Sequence, residues 1–270
     1  MIVISNQEFN VLSQYIYNYC GINLSNKKML IEGRLNSLLT EKGFMDFSSY
    51  LTYMLNDASG DAVSAIVDRI STNHTFFMRE VQHFNYFRDH VLPEIQFSVK
   101  NKDLRIWSAG CSSGEEPYTL AMIIADYFAD EKVNWDTRIL ATDISSKILE
   151  KAREGVYKDE EIISIPIQWK LSYFKKTSLD SNMVAEKIKR EVLFRKFNLM
   201  EKFYPFRNKF HVIFCRNVML YFDECTKRDL VNRFYEYTEP GGYLFIGQSE
   251  TLNRDESDYQ YIMPAVYRKG

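Results

Sequence analysis

RIWSAGCSSGEEPYTLA, from Arg105 to Ala121, combines an apolar strand, a turn of small residues and the start of a helix. A strand that passes through a tight turn into a helix is the unit from which doubly wound parallel sheets are built. Phosphate-binding turns at this place offer bare backbone N–H groups, often with a Lys, because their ligand is an anion. Here Glu115 and Glu116 occupy the start of the helix. Two carboxylates would repel a phosphate, so the turn is expected to bind a ligand with cationic character.

The two glutamates have a structural explanation as well as a ligand-binding one. A carboxylate near a helix N-terminus interacts favourably with the helix dipole, by about 0.3–1 kcal/mol. We expect this to account for one of them and the other to face a ligand. Asp143, at the tip of the next strand in LATDIS, is placed to accept hydrogen bonds from both hydroxyls of a ribose, although it could instead cap the following helix. These features favour S-adenosylmethionine over NAD, because the GxGxxG spacing is absent and carboxylates oppose a pyrophosphate.

The composition is that of a soluble globular protein. The chain has 270 residues, 46% hydrophobic and 26% charged, with a formal net charge of -2, so no nucleic-acid partner is predicted. No apolar run approaches the length of a membrane-spanning helix, which needs about 20 residues. The N-terminal sequence lacks the pattern of a secretory signal peptide. The four Cys lack CxxC spacing and are expected to be reduced thiols of a cytoplasmic protein. The four His form no ligand pattern, so no metal site is predicted.

The first part of the chain, residues 1–72, has the spacing of a small all-helical domain. Apolar residues recur every three or four positions, as in Phe9, Leu12 and Ile16. Glycines stand where helices should end, and residues that cap helix N-termini stand where they should begin. The residues expected at these ends are Gly21 and Gly43 after helices, and Ser25 and Asp46 before them.

From Leu104 onward, strands alternate with helices, which predicts an α/β fold with a mostly parallel, doubly wound Rossmann-like sheet. YQYIMPAVYRK is predicted to be one last strand, antiparallel at or near the sheet edge. A polar stretch, about 157–191, breaks the alternation and is interpreted as an inserted subdomain. The predicted strands are LRIWSAG, RILATDI, VLFRKFNL, FHVIFCRNVM and GGYLFIG, and the predicted helices are PYTLAMIIADYF, SKILEKARE and CTKRDLVNRFYEYT.

Three further stretches, STNHTFFMRE, FNLM and FCRNVMLYFD, occur in order with WSAGCSSGEEPYTLA and LATDIS. Together they resemble the chemotaxis receptor methyltransferase family, CheR, over nearly the whole chain. The resemblance implies a class I methyltransferase domain at 101–270, a linker at 73–100 that closes over the cofactor, and S-adenosylmethionine as the cofactor, with S-adenosylhomocysteine as product. It also implies methylation of glutamate side chains on the cytoplasmic helical region of bacterial chemoreceptors, giving methyl esters for sensory adaptation.

The family's site residues carry over onto matching positions of this sequence. Arg79 and Tyr221 match the residues that orient the methyl acceptor and form the implied catalytic pair. The implied cofactor-binding residues are Asn73, Thr75 and Arg79 in the linker, Glu116 in the turn, Asp143, then Asn198 and Leu199, and finally Arg216 and Asn217.

The chemistry of the linker residues gives its own expectations. Phe76 and Phe77 should bury against the sheet domain and leave Arg79 facing the cleft. A guanidinium can there hold a carboxylate by two parallel hydrogen bonds. The structural alternatives are an interdomain salt bridge for Arg79 and a half-buried core position for Tyr221. No Ser-His-Asp or Cys-His pattern is evident, which suits an acceptor that needs no general base.

The sequence leaves several alternatives open. One open question is the role of the positive charges in the stretch NLSNKKMLIEGRL, which are Lys27, Lys28 and Arg34. They could contact an acidic receptor helix or form a solvated helix face. Some family members dock on a receptor tether through a Gly-containing turn of the insertion, but residues 156–240 contain no Gly, so tether binding is not predicted. The protein is expected to be a monomer without membrane insertion. A carboxyl methyltransferase for another protein or a small acid, and a non-catalytic adenosylmethionine-binding signalling module, are the alternative functions.

Overall fold

The computed structural model describes residues 2–71, 74–253 and 256–270. Its N-terminal part, residues 2–71, packs four helices around one apolar core that includes Phe9, Leu12 and Ile16. The helical prediction for this part is confirmed. The helices are α1 (Asn6–Cys20), α2 (Lys28–Lys42), α3 (Phe47–Asn56) and α4 (Asp61–Ile70).

The helix ends follow the predicted capping residues with one exception. Gly21 and Gly43 end α1 and α2 in the left-handed region, at φ 73° and 76°. Asp46 caps α3, because its carboxylate accepts a hydrogen bond from Ser49 N. The prediction that Ser25 caps α2 is wrong, since α2 begins after Lys27 and has no side-chain cap. Ser25 N instead donates to Asn23 Oδ1 at 2.9 Å, which places Ser25 inside the preceding turn.

A continuous helical segment connects this bundle to the sheet domain. It consists of α5 (Val81–Tyr86), a π-helical turn (Phe87–Val91) and α6 (Leu92–Ser98). The elements that follow, in chain order, are β1 (Ile106–Ala109), α7 (Glu115–Phe128), a 3-10 turn (Ala129–Asn134), β2 (Ile139–Asp143), α8 (Ser146–Glu154), β3 (Val156–Lys158), α9 (Ile167–Tyr173), β4 (Phe174–Lys176), β5 (Ser181–Val184), α10 (Glu186–Lys189), β6 (Val192–Lys196), β7 (Phe210–Cys215), a 3-10 turn (Met219–Tyr221), α11 (Glu224–Tyr237), β8 (Thr238–Ile246), β9 (Tyr259–Met263) and β10 (Val266–Lys269).

The main sheet of the described chain has seven strands in the order β6-β2-β1-β7-β8-β10-β9. The first five strands in this order are parallel, with Ile106 of β1 opposite Ile139 of β2 and Val212 of β7. Helices cover both faces, and the strand order reverses on either side of β1. This is the doubly wound Rossmann-like sheet that the alternation predicted.

The C-terminal segment departs from its prediction. It forms two strands instead of one, and β10 inserts between β8 and β9, antiparallel to both. The reversal lies between Met263 and Val266. Pro264 has no N–H to donate to a ladder, and Ala265 adopts φ 64°, so the chain turns there instead of continuing as one strand.

The stretch interpreted as an insertion carries a small sheet of its own. Within the described residues its order is β3-β5-β4, with antiparallel pairing throughout. Phe174 and Tyr157 of this sheet belong to the same apolar core as β1 and α7, so the subdomain packs on the main sheet domain. None of the helices described in the structure is long and apolar enough to span a bilayer.

Candidate functional site

A cleft opens where the carboxyl ends of β1, β2, β6 and β7 meet. Ligands of doubly wound sheets bind at this edge, where the strand order reverses. The linker before α5 covers one side, and Cys20 and Ile22 from the end of α1 border another. Nine of the predicted site residues line the cleft, namely Thr75, Arg79, Glu116, Asp143, Asn198, Leu199, Arg216, Asn217 and Tyr221. The predicted Asn73 lies outside the described residues.

The turn after β1 lies close to its neighbouring loops. Gly110 adopts φ 83°, and a Cβ there would lie 2.4 Å from Val218 Cγ2 in the loop after β7. Ser112 is left-handed as well, at φ 49°, and its N–H donates to Asp143 Oδ2 at 2.9 Å. The turn is therefore fixed to the tips of both neighbouring strands.

The structure separates the two glutamates of this turn. Glu115 is buried and accepts hydrogen bonds from Ser113 Oγ at 2.8 Å, and burial raises the pKa of its carboxyl. Glu116 borders the cleft, where its carboxylate accepts from Ser108 Oγ at 2.7 Å and from Arg216 Nη1 at 3.1 Å. One glutamate therefore serves the fold, and the other presents charge to the cleft.

Asp143 presents a second carboxylate at the cleft floor. Its Oδ1 accepts from Ser145 N at 3.0 Å and its Oδ2 from Ser112 N at 2.9 Å. Burial raises the pKa of this carboxyl. The capping role falls to Ser145, whose Oγ accepts from Ile148 N at 3.1 Å. A carboxylate has about four lone-pair sites, so Asp143 keeps acceptor capacity for the hydroxyls of a ribose.

Asn198 and Tyr221 connect the cleft to the helical domain. Asn198 Nδ2 donates to Tyr19 O at 2.6 Å, and its Oδ1 accepts from Met200 N at 3.0 Å. Asn23 N donates to Tyr221 O at 2.8 Å, and the Lys27 ammonium lies 5.4 Å from the centre of the Tyr221 ring. The helical domain thus reaches the rim of the cleft at two points.

Arg216 is a buried cation at the centre of the site. Its side chain is 3% exposed and pairs with Glu116 Oε2 at 3.1 Å and with Glu80 Oε2 at 3.0 Å. Its Nη2 also donates to Arg79 O. Two carboxylates face one guanidinium, which leaves an excess of negative charge beside the cleft. This excess suits the ammonium and sulfonium of S-adenosylmethionine and disfavours a pyrophosphate.

The prediction for the linker aromatics is correct for one residue and wrong for the other. Phe77 is fully buried, with its ring 4.8 Å from that of Tyr157 in the inserted sheet. Phe76 is 45% exposed and borders the cleft, where its ring lies 5.8 Å below the Arg79 guanidinium. The two side chains point to opposite sides of the linker, so only one can reach the core. Arg79 Nη1 donates to His74 O at 2.6 Å, and Arg79 lines the cleft as expected.

Two carboxylates of the site were not identified from the sequence. Glu80 follows Arg79 directly and pairs with Arg216. Glu250 is buried behind the cleft and accepts from Gly247 N at 2.6 Å and from Asn217 N at 3.0 Å, and burial raises its pKa. Glu80 could have been noticed as an acid inside the linker motif, whereas Glu250 stands in a loop without a distinguishing pattern.

The sheet order, the acidic turn and the carboxylate at the second strand tip define a Rossmann-like S-adenosylmethionine-dependent methyltransferase. The family model described as "CheR methyltransferase, SAM binding domain" matches residues 73–267, and that described as "CheR methyltransferase, all-alpha domain" matches residues 7–71. The chain therefore belongs to the CheR methyltransferase family, and its cofactor is S-adenosylmethionine.

Relatives named as methyltransferases match the chain over nearly its whole length. The chemotaxis protein methyltransferase of Borreliella burgdorferi is 46% identical over 99% of this chain and 95% of its own. The chemotaxis protein methyltransferase of Escherichia coli is 34% identical over 98% of this chain and 92% of its own. Among solved structures, the N-methyltransferase NodS from Bradyrhizobium japonicum is 13% identical with a TM-score of 0.32, covering 60% of this chain and 61% of that chain, a likeness too remote to bear on function.

Proposed function

We propose that the protein transfers a methyl group from S-adenosylmethionine to glutamate side chains of bacterial chemoreceptors and so forms glutamyl methyl esters in sensory adaptation. The observation that carries the proposal is that one cleft is lined both by the carboxylates Glu116 and Asp143 and by Arg79 and Tyr221. A cationic nucleoside cofactor and an anionic acceptor could thus be held side by side. The names of the relatives support the same reaction class.

The cofactor side of the cleft would be formed by residues of five loops. Asp143 would accept hydrogen bonds from the ribose, and Glu116 would face the ammonium group of the amino-acid end. S-adenosylmethionine supplies an electrophilic methyl group on a positively charged sulfur. The remaining proposed cofactor contacts are Asn73, Thr75, Arg79, Asn198, Leu199, Arg216 and Asn217.

The acceptor side would depend on positioning, without acid–base catalysis. A free glutamate side chain has a pKa of about 4.3 and is ionised at neutral pH, so no general base is required. Arg79 would hold the acceptor carboxylate through its planar pair of N–H donors, and the Tyr221 hydroxyl would fix the acceptor or the methyl donor. Holding the reacting groups in line and away from water would provide most of the rate enhancement.

The linker and the helical domain would complete the site around the acceptor. We assign residues 73–100 to a linker that covers the cofactor, between a helical domain at 1–72 and a methyltransferase domain at 101–270 with its inserted subdomain at about 157–191. Lys27 places positive charge next to Tyr221, where an acidic receptor helix would be attracted. We further propose that the protein acts as a monomer in the cytoplasm, where the methylated receptor region lies.

The proposal is tested by transfer of labelled methyl groups to membranes that contain chemoreceptors, with release of methanol in base as the readout for an ester. Arg79→Lys should lose most turnover, on the order of a hundredfold, because an ammonium cannot reproduce the two-point grip. Tyr221→Phe should lose less, since only the hydroxyl is removed. Both variants should keep much of their cofactor affinity.

The alternative functions give different outcomes in the same assay. A base-stable product, or near-normal turnover in Arg79→Lys, would refute the proposed mechanism. Labelling of a different protein or of a small acid, with none on receptors, would indicate the alternative carboxyl methyltransferase. Cofactor binding without any transfer would indicate a signalling module.

A further inference from the structure

Glu80 joins the linker to two loops of the sheet domain. Its Oε2 accepts from Arg216 Nη2 at 3.0 Å and from Arg216 Nε at 3.3 Å. Its Oε1 accepts from Gln248 N at 3.2 Å and from Asn217 Nδ2 at 3.4 Å. The side chain is only 11% exposed. One carboxylate therefore connects the linker with the loops that follow β7 and β8.

The backbone around Glu80 needs such support. Met78 and Glu80 adopt φ 61° and 55°, a left-handed conformation that is unfavourable for residues other than Gly. Arg216 Nη2 donates to Arg79 O between them. The shape of this part of the linker is thus held by the same guanidinium that Glu80 binds.

The contacts of Glu80 with Arg216 also affect the charge beside the cleft. Arg216 divides its N–H donors between Glu80 and Glu116 and contacts Glu116 only through Nη1, at 3.1 Å. If Glu80 carried no charge, the Arg216 guanidinium could donate two parallel hydrogen bonds to the Glu116 carboxylate and neutralise its charge. His83 does not replace Arg216 as the charged partner of Glu80 near neutral pH. Burial and, to a lesser extent, the Arg216 charge lower the pKa of His83 to about 4, so the imidazole is neutral there.

We propose that Glu80 is a positioning residue, which keeps the Glu116 carboxylate available for the ammonium group at the amino-acid end of the cofactor and fixes the adjoining linker. The proposal rests on the proposed assignment of Glu116 to that end, and it is independent of the methyl acceptor. It requires that the loss of Glu80 weakens only ligands that carry the amino-acid end.

The test measures binding of two ligands by calorimetry in Glu80→Gln. S-adenosylhomocysteine carries the amino-acid end, and 5′-methylthioadenosine shares the nucleoside but lacks it. We expect at least about tenfold weaker binding of the first, the loss typical of a hydrogen bond to a charged group, and less than about threefold change for the second. Amide hydrogen exchange of residues 74–80 should also become faster.

Glu191→Gln is the matched control. Glu191 is also a partly buried ion-pair acid, accepting from Lys132 Nζ at 2.6 Å and Thr137 Oγ1 at 3.0 Å, but it lies outside the cleft lining. Its substitution should leave both affinities unchanged. Glu80→Asp retains the charge at shorter reach and should bind S-adenosylhomocysteine with an affinity between wild type and Glu80→Gln. If Glu80→Gln does not fold, Glu80→Asp carries the comparison of the two ligands.

Unchanged affinity for S-adenosylhomocysteine, or an equal loss for both ligands, would overturn the proposal. Failure of the wild-type protein to bind S-adenosylhomocysteine would instead count against the cofactor assignment itself, so the two failures are distinguishable.

Discussion

Replacement of Asp143 by Asn tests the ribose-binding assignment with almost no change of shape. The two carboxylate oxygens of Asp143 receive the N–H groups of Ser112 and Ser145, at 2.9 and 3.0 Å. An Asn side chain offers one oxygen and one NH₂ group, so one backbone N–H would lose its acceptor. The hydroxyls of a bound ribose would also lose a charged acceptor.

The expected magnitude follows from these contacts. A hydrogen bond to a charged group contributes about 1.5–3 kcal/mol, so S-adenosylhomocysteine should bind roughly 10- to 150-fold more weakly to Asp143→Asn. An unsatisfied buried N–H costs about 1–3 kcal/mol of stability. Burial already raises the pKa of Asp143, which means that its charge is costly in the free protein. Removal of that cost offsets part of the stability loss. The free energy of S-adenosylhomocysteine binding should therefore decrease more than the free energy of unfolding.

Calorimetric titration and urea unfolding of the same preparations measure the two effects separately. Ser145→Ala is the matched control, because it removes the helix cap at Ile148 N and leaves Asp143 in place. The control should lose about 1 kcal/mol of stability without a change in affinity. Unaltered affinity for S-adenosylhomocysteine in Asp143→Asn would refute the ribose assignment, whatever the change in stability.

Two further predictions concern the turn after β1 and the buried histidine. Gly110→Ala should destabilise the protein and weaken cofactor binding, because the added Cβ would lie 2.4 Å from Val218 Cγ2. Gly60→Ala is the control: Gly60 has a similar φ of 76°, but its added Cβ would have no atom of another segment within 4 Å, so only the smaller backbone cost is expected. Equal unfolding midpoints in urea for the two variants would contradict this prediction. In the folded protein, burial and, to a lesser extent, the nearby Arg216 charge lower the pKa of His83 to about 4, whereas a histidine in the unfolded chain has a pKa of about 6.5. As the pH falls from about 6.5 to about 4, the unfolded chain therefore binds a proton that the folded protein does not, and the free energy of unfolding decreases. His83→Gln should flatten the fall in stability between about pH 6.5 and about pH 4, and an unchanged slope in urea unfolding would exclude His83 as its source.

Local sequence patterns were sufficient for the helical domain, the parallel strands and most helix ends, but not for the strands of the insertion or the two C-terminal strands. Period-3.6 apolar spacing predicted the helical domain, and the alternation of strands and helices predicted the parallel sheet. Gly21, Gly43 and Asp46 marked helix ends correctly, because left-handed and capping conformations depend on single residues and their immediate neighbours.

The site residues were predictable to the extent that they follow strand tips. Parallel strands end at one edge, so Glu116, Asp143 and Arg216 had to approach each other once the sheet was recognised. Residue chemistry alone did not decide which glutamate of the turn would face the cleft, although the family resemblance implied Glu116, which is the one that lines it. Glu115 and Glu116 are adjacent on a helix, and only the packing of α7 on the sheet decides which of them is buried.

Only the tertiary structure decided the features that depend on contacts between distant segments. Phe77 is buried against Tyr157 of the inserted sheet, and Phe76, on the opposite side of the linker, therefore borders the cleft. Glu80 acquires its importance from Arg216, which is 136 residues away in the chain, and no local pattern encodes such a pairing. The sequence by itself determined the helical domain, the parallel strands with their helices, and the edge of the sheet where a ligand binds. The burial, the charge and the partners of each side chain at that edge were determined by packing, because burial and ion pairing depend on the whole surrounding structure.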